Sequence, residues 1–340
     1  MKPPAMPKRK HERGVVIIWT AFFLLFMLGF VAIGIDVSKL MATRTQLQNT
    51  ADAAALAGAS AVNFKNGTVV QDSAVVRAQL TASRNKAFVN TPEPVTLVAA
   101  DVSFPAPNEV KVVVRRTAAG DGSVVTHVAQ VLGITSLDMS ATATARVDTT
   151  GTPCDGLVPM APVNADPSGW FDPDCSKEYD LKVGAGDGEQ GNYELLDFPP
   201  CAEGACQDVG GGGAEVRCLA ENGFGCCMSI GQEFVLTKPG NTVGPFRQGM
   251  QARFDNDTDR REGICYSEYG GNGNRVVRVP IIETFDVSGK KYVRIIAFSA
   301  FFIKFRPPGN GTLSGQFVYD VVPGEPGPGK GTLFSIRLVK

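Results

Sequence analysis

The strongest constraint on this chain is a stretch of 21 residues without a charged side chain. It covers residues 15–35 and reads VVIIWTAFFLLFMLGFVAIGI. A helix of this length spans about 30 Å, which matches the hydrocarbon core of a bilayer. The apolar core of a cleaved secretory signal is shorter, about 7–15 residues, and a small-residue cleavage site follows it closely. We therefore predict a retained transmembrane helix over 15–35.

The distribution of charge predicts how this helix is oriented. Residues 1–14 form a basic tip with five Lys or Arg and one Glu, a net charge of +4, whereas the remainder carries 28 basic and 33 acidic residues. Basic residues beside an apolar helix stay in the cytoplasm. We expect a cytoplasmic N-terminus and an exported bulk. The overall net charge of −1 argues against a nucleic-acid partner.

The helix is predicted to continue beyond the membrane over residues 36–62. This stretch contains no proline and one glycine, and its Ala, Leu and Gln residues favour helix. One face of it has mostly small side chains, which permit close packing. The residues of this face are Leu47, Ala51, Ala54, Ala55 and Gly58. Their partner is either the chain's own sheet at 94–148 or a neighbouring subunit.

These residues resemble a known family. The apolar run follows Arg13 and Gly14 and is followed by Asp36, by Leu47 and Gln48, and by ADAAALAGA at 51–59. This order of residues is similar to the N-terminal region of TadE/TadG-like proteins. That family belongs to the Tad (tight adherence) machinery that assembles Flp-type pili. The resemblance implies a single-pass protein of the bacterial inner membrane with a periplasmic or extracellular bulk and a role in cell adhesion. Its implied partners are the membrane and other pilin-like or Tad assembly proteins.

The resemblance also bears on processing and metal binding. Pilins of this type are cut after a glycine that precedes the apolar run, and they carry Glu at the fifth mature position. The bond between Gly14 and Val15 is in the matching place, but Trp19 occupies the fifth position, so cleavage there is left open. Larger members often carry a metal site that reads Asp-x-Ser-x-Ser, and no segment of this chain does. We expect no metal and no cofactor.

The fold class that we predict is α+β, with three parts. After the long helix, a pilin-like α+β domain is expected over 63–149 and a Gly/Cys-rich, mainly β domain over 150–340. In the first domain we predict helices at 70–89 and 124–132 and strands at 94–104, 109–117 and 137–148. In the second we predict strands at 275–283, 291–305, 313–322 and 331–339.

All eight cysteines lie in the last part of the chain. They are Cys154, Cys175, Cys201, Cys206, Cys218, Cys226, Cys227 and Cys265. An even number of cysteines on the exported side predicts four disulfides in an oxidising compartment. Eight cysteines allow 105 pairings, so the sequence assigns none. Metal binding is the rival interpretation, but the region has no C-x-x-C pair and no histidine.

The sequence offers few residues for catalysis. Asp255, Asp257 and Asp259 alternate as calcium ligands do, but Arg260 and Tyr266 stand where an EF-hand needs Gly and Glu. We expect a solvated loop there, with an irregular calcium site as the alternative. We predict a non-enzymatic structural or assembly component without a small-molecule substrate. The alternative is a membrane-anchored extracytoplasmic enzyme or ligand-binding protein with a polar cleft in 150–340.

Overall fold

The computed structural model describes residues 13–63, 67–164, 171–183, 192–231, 234–238, 242–283, 292–328 and 330–339. The predicted basic tip, apart from its last two residues, lies outside this part of the chain. The α-helices are α1 Arg13–Ala59, α2 Gln71–Ser83, α3 Gly213–Asn222 and α4 Val243–Asp255. Short 3₁₀ helices cover Ala99–Asp101, Ala129–Leu132 and Tyr266–Glu268.

The strands fall into a group that packs on α1 and a group in the C-terminal part. The first group, in chain order, is β1 Val62–Asn63, β2 Thr68–Val69, β3 Lys86–Phe88, β4 Pro92–Pro94, β5 Val102–Ser103, β6 Glu109–Arg116, β7 Val124–Val125, β8 Ser136–Leu137 and β9 Met139–Pro153. The strands that follow are β10 Met160–Pro162, β11 Tyr179–Val183, β12 Asn192–Asp197, β13 Phe234–Thr237, β14 Val276–Ile282, β15 Tyr292–Ile303, β16 Leu313–Val318, β17 Asp320–Val321, β18 Gly324–Pro326 and β19 Leu333–Val339.

Helix α1 is continuous through Asp36, as the sequence predicts. It has 47 residues and is therefore about 70 Å long. It ends at Ala59, three residues before the predicted end at Val62. The chain then turns through hydrogen bonds from Ser60 N to Leu56 O and from Ala61 N to Gly58 O, both 3.0 Å.

Strand β9 is the centre of the sheet beside α1. It pairs antiparallel with β6 on one side and with β19 on the other, and β5 extends the sheet beyond β6. Val110, Val112 and Val114 of β6 are fully buried, which confirms the predicted alternation. The core of this part joins α1, α2, β6 and β9, and Phe334 of β19 packs into it.

The predicted strand at 94–104 is wrong. The structure has β4, a 3₁₀ turn and β5 in its place. The buried guanidinium of Arg116 donates to the carbonyl oxygens of Glu93 at 2.7 Å and Pro94 at 2.9 Å. The Pro94 carbonyl is therefore bonded to a side chain rather than to a neighbouring strand, and the strand ends there. The Asp101 carboxylate accepts a hydrogen bond from Val98 N at 3.2 Å and closes the turn.

Both shorter helix predictions in this domain need correction. The predicted helix at 70–89 ends at Ser83, because the Asn85 side chain caps the Thr81 carbonyl at 2.8 Å and the chain then enters β3. The predicted helix at 124–132 is divided into β7 and a 3₁₀ helix. Its backbone N–H groups at 127–129 donate to the Asp36 carboxylate instead of forming an α-helical turn.

The C-terminal part is built around β15. This strand pairs with β14 along most of its length and also with β16 and β13. Pairing between β12 and β13 closes a circuit that runs through β11, β16 and β15. Phe298, Phe301 and Phe302 are almost completely buried, so the predicted central strand is confirmed.

The proposed domain division at residue 149 falls inside a strand. Strand β9 continues to Pro153, and β19 returns from the end of the chain to pair with it from Thr149↔Phe334 to Thr144↔Val339. The two parts of the chain that follow α1 therefore share one sheet. The mainly β C-terminal part begins after β9, where the chain passes into β10.

Candidate assembly interface on the N-terminal helix

The N-terminal half of α1 is exposed. The described side chains at residues 16–35 are all exposed, and Trp19 is 71% exposed. The structure describes one helix that is long and apolar enough to cross a membrane, judged by length and composition. The apolar stretch of this helix is not buried against the rest of the protein. This helix suggests a single membrane anchor.

One face of the other half of α1 is buried against the protein itself. The residues of the small face, Leu47, Ala51, Ala54, Ala55 and Gly58, are all buried. They pack in one core with α2, β6 and β9. A Cβ atom at Gly58 would lie 3.0 Å from Val110 Cγ1 and 3.4 Å from the Ala74 carbonyl oxygen, so a larger residue would push the elements apart. In this structure the partner of the small face is the chain's own sheet and second helix.

This packing leads to a prediction for Ala54, whose side chain is fully buried. Ala54→Leu should lower the free energy of unfolding by about 1–3 kcal/mol, because the added methylene groups overpack the contact with the sheet. The measurement is urea unfolding of the full chain in detergent micelles. Ala42→Leu is the matched control, since Ala42 is exposed on the same helix. Unchanged stability with loss of assembly would indicate that the small face serves a neighbouring subunit instead.

Asp36 ties the middle of α1 to the segment at residues 127–129. Its carboxylate is only 5% exposed and accepts hydrogen bonds from the backbone N–H groups of His127, Val128 and Ala129, each at 2.8 Å. These bonds, that of His127 foremost, lower the pKa of Asp36. A lowered pKa means that this stabilisation is present above the unfolded-state value of about 3.9 and is lost as the pH falls through the folded-state value.

A lysine one turn further along strengthens the same contact. Lys39 Nζ donates to the Val125 carbonyl oxygen at 2.8 Å and lies 3.4 Å from His127 Nε2. Sequence reasoning did not find this role, because Asp36 was singled out only as part of the family resemblance. Its position as the first charge after 21 uncharged residues was the available signal. The tertiary structure supplies the partner.

Beyond Asp36, part of α1 still faces outward. Val37 is 43% exposed and Met41 is 67% exposed, and the exposed residue Thr45 continues this side of the helix. This strip lies beside the buried small face and continues the exposed apolar run at residues 16–35. The exposed side of α1 is therefore the surface that could contact another helix.

The structure gives the three candidate calcium ligands protein partners. Asp255 forms a bidentate ion pair with Arg306 at 2.8 Å, and Asp259 pairs with Arg261 at 2.7 Å. Asp257 is buried and accepts hydrogen bonds from the Tyr269 hydroxyl and from Asp259 N. The part of the chain that the structure describes contains no group of three His, Cys, Asp or Glu placed to hold a metal.

All eight cysteines form disulfides, and all eight lie beyond residue 150. The pairs are Cys154–Cys227, Cys175–Cys265, Cys201–Cys226 and Cys206–Cys218. No cysteine is free. Two of the bonds connect the segment at 201–206 to α3 and to the loop that follows it. The bridge between Cys175 and Cys265 ties the entry of β11 to the segment after α4.

A cavity of about 550 Å³ lies beside the bridge between Cys201 and Cys226. Phe198, Val235 and Tyr292 contribute to its lining, as does the Glu215 carboxylate. Glu215 forms an ion pair with Lys238 at 2.8 Å. The Glu215 carboxylate therefore has a structural partner at the edge of the cavity.

Comparison with known proteins identifies the N-terminal segment. Residues 14–61 match the Tad family model, described as "Putative Flp pilus-assembly TadE/G-like". No curated protein and no solved structure matches the chain. The matched residues include the apolar run, Asp36 and the whole small face, and they end two residues after α1. The match confirms the family resemblance.

Proposed function

We propose, from the TadE/G-like family to which the α1 segment is assigned, that this chain is a membrane-anchored, non-enzymatic structural or assembly component of a Tad/Flp-type pilus system. The observation that carries the proposal is the family match over 14–61, where an exposed apolar half and a buried half form one continuous helix. The first half would anchor the chain in lipid. The second would hold the exported domain on the anchor.

The arrangement around α1 supports a pilin-like role. The membrane-distal half of the helix lies on the antiparallel sheet of β6 and β9, with α2 beside it. A long helix that is apolar at one end and packed on a sheet at the other can join a bundle of similar helices while it displays its domain. In this proposal the exposed strip with Val37 and Met41 contacts other pilin-like or Tad proteins.

Charge and disulfides support the proposed orientation. The basic tip at residues 1–14 favours a cytoplasmic N-terminus in the inner membrane. Disulfides form and persist in oxidising compartments, and this chain uses all its cysteines in them. Both features favour a periplasmic or extracellular position for the part of the chain beyond residue 36.

Site-specific photocrosslinking in cells tests the proposal. A photoreactive residue at Met41, which is 67% exposed, should crosslink to another Tad-system protein. The same residue at Leu80, which is 52% exposed on α2, is the matched control and should give much less of that product. Deletion of the gene should reduce the amount of sheared surface pili. Normal pili together with no crosslinked partner at Met41 would show that the proposal is wrong.

A further inference from the structure

The segment that Asp36 holds against α1 carries no charge. Residues 122–137 contain no Asp, Glu, Lys or Arg, although 20% of the whole chain is charged. Two large apolar side chains in it are exposed, Ile134 at 44% and Leu137 at 41%. Exposed apolar side chains on an uncharged segment are compatible with contact to an apolar or interfacial surface, and the position of the segment identifies which one.

The segment is an ordered hairpin. Strands β7 and β8 pair through Val124↔Leu137 and Val125↔Ser136. The 3₁₀ helix between them ends at Gly133, whose φ of 84° reverses the chain at a conformation that favours glycine. A hydrogen bond of 3.0 Å from Ile134 N to Ala129 O closes the tip. Ile134 is thus held in place by backbone bonds.

Contacts with α1 show which way the hairpin points. The preceding β3 contacts the helix at Gln46, whose side-chain oxygen accepts a bond from Phe88 N at 3.2 Å. The hairpin itself contacts Lys39 and then Asp36. From Gln46 to Asp36 these contacts move about 15 Å toward the N-terminus of α1. The hairpin tip therefore lies at the level where the exposed apolar run at residues 16–35 ends.

We propose that the hairpin at residues 124–137 is a second membrane contact, which rests on the headgroup layer of the bilayer leaflet from which α1 emerges. The proposal rests on the membrane anchor in the proposed function. Its occupant is phospholipid, because Asp36 and Lys39 hold the hairpin at the end of the exposed apolar run of α1, the level at which a bilayer around that run would have its surface. Apolar side chains on an uncharged surface element insert into the boundary between headgroups and acyl chains.

The contact would define how the exported domain stands on the membrane. A single helix leaves the domain free to tilt, whereas a second contact beside it restricts the tilt. Asp36 acts as the positioning residue, because its carboxylate holds the three N–H groups at the start of the 3₁₀ helix. The side chains that meet lipid are those of Ile134 and Leu137.

Tryptophan fluorescence with brominated lipid tests the proposal. The full chain, with Trp19 and Trp170 both replaced by Phe, receives Ile134→Trp and is reconstituted in phosphatidylethanolamine/phosphatidylglycerol vesicles with and without 6,7-dibromophosphatidylcholine. We expect a blue-shifted emission and about twofold quenching by the bromolipid, because the indole lies in the interface. Val76→Trp in the same background is the control. Arg77, the neighbour of Val76, binds Ser60 just past the end of α1 that lies farthest from the apolar run. A tryptophan at position 76 is therefore far from the bilayer, and its fluorescence should stay unquenched.

Two further variants separate the outcomes. A chain that retains only Trp19 reports the anchor itself. Quenching of Trp19 without quenching at position 134 would overturn the hairpin contact and leave the anchor standing, whereas quenching of neither would overturn the anchor. The emission of the tryptophan at position 134 could instead be blue-shifted only at a high protein-to-lipid ratio and remain unquenched by the bromolipid. That result would identify a second copy of the chain as the occupant and refute the proposal. Asp36→Asn is then added to the chain with Ile134→Trp and to the chain that retains only Trp19. It should reduce the quenching at position 134 and leave that of Trp19 unchanged. Unchanged quenching at position 134 would refute the positioning role of Asp36.

Discussion

Replacing Arg275 with methionine should lower the free energy of unfolding by about 2–6 kcal/mol, because two fully buried carbonyls lose a charged donor. The side chain is fully buried, and among the described residues its guanidinium donates to four backbone carbonyls. The acceptors are Ile303 O at 2.8 Å, Asp259 O at 2.7 Å, Arg261 O at 2.9 Å and Lys304 O at 2.9 Å. The guanidinium also lies 4.5 Å from the ring centre of Phe254 and 4.6 Å from that of Phe302.

Methionine keeps much of the volume of Arg275 but provides no donor. A buried carbonyl that loses its donor costs about 1–3 kcal/mol. The carbonyls of Ile303 and Lys304 are buried, and Lys304 O retains a bond of 3.2 Å from Gly263 N. Urea unfolding of the full chain in micelles, followed by tyrosine fluorescence, measures the effect. Arg278→Met is the matched control, since Arg278 is 27% exposed and pairs with Asp320 at 3.0 Å. We expect its loss to cost about 1 kcal/mol or less. Equal losses for the two variants would contradict the role assigned to Arg275.

Removing the bridge between Cys175 and Cys265 should cost about 4.6 kcal/mol, more than removal of a bridge with a short loop. The two cysteines are 90 residues apart, so the bond restricts a large part of the unfolded chain. The bridge between Cys206 and Cys218 spans 12 residues, and its loss should cost about 3 kcal/mol in the same chain-entropy model. Paired Cys→Ser variants remove one bridge at a time without leaving a free thiol.

Urea unfolding of the two double variants measures the difference. Thiol labelling of the denatured, unreduced wild-type protein is the control for the starting state and should detect no free cysteine. A larger loss for the variant without the short bridge would contradict the expected order. Two or more labelled thiols in the wild type would contradict the four pairs themselves.

The sequence alone determined the features that depend on local composition. Helix α1 was predictable across Asp36 because residues 36–59 are rich in helix-forming side chains, and residues 15–35 are compatible with few surroundings other than lipid. The alternation of Val110, Val112 and Val114 predicted β6 because a strand has a period of two. An even number of cysteines, all on one side of the apolar run, predicted four bonds, although not their connectivity.

Only the tertiary structure decided which groups meet. Composition shows that a small helix face needs a close partner, but the burial of Ala54 in one core with β6 and β9 identifies that partner. The bond from Asp36 to the backbone of residue 127 joins groups 91 residues apart, and the pairing of β19 with β9 joins more distant ones. The chemistry of a side chain determines what kind of partner it requires. Which residue becomes that partner depends on the path of the whole chain, because such contacts form only after long loops have closed.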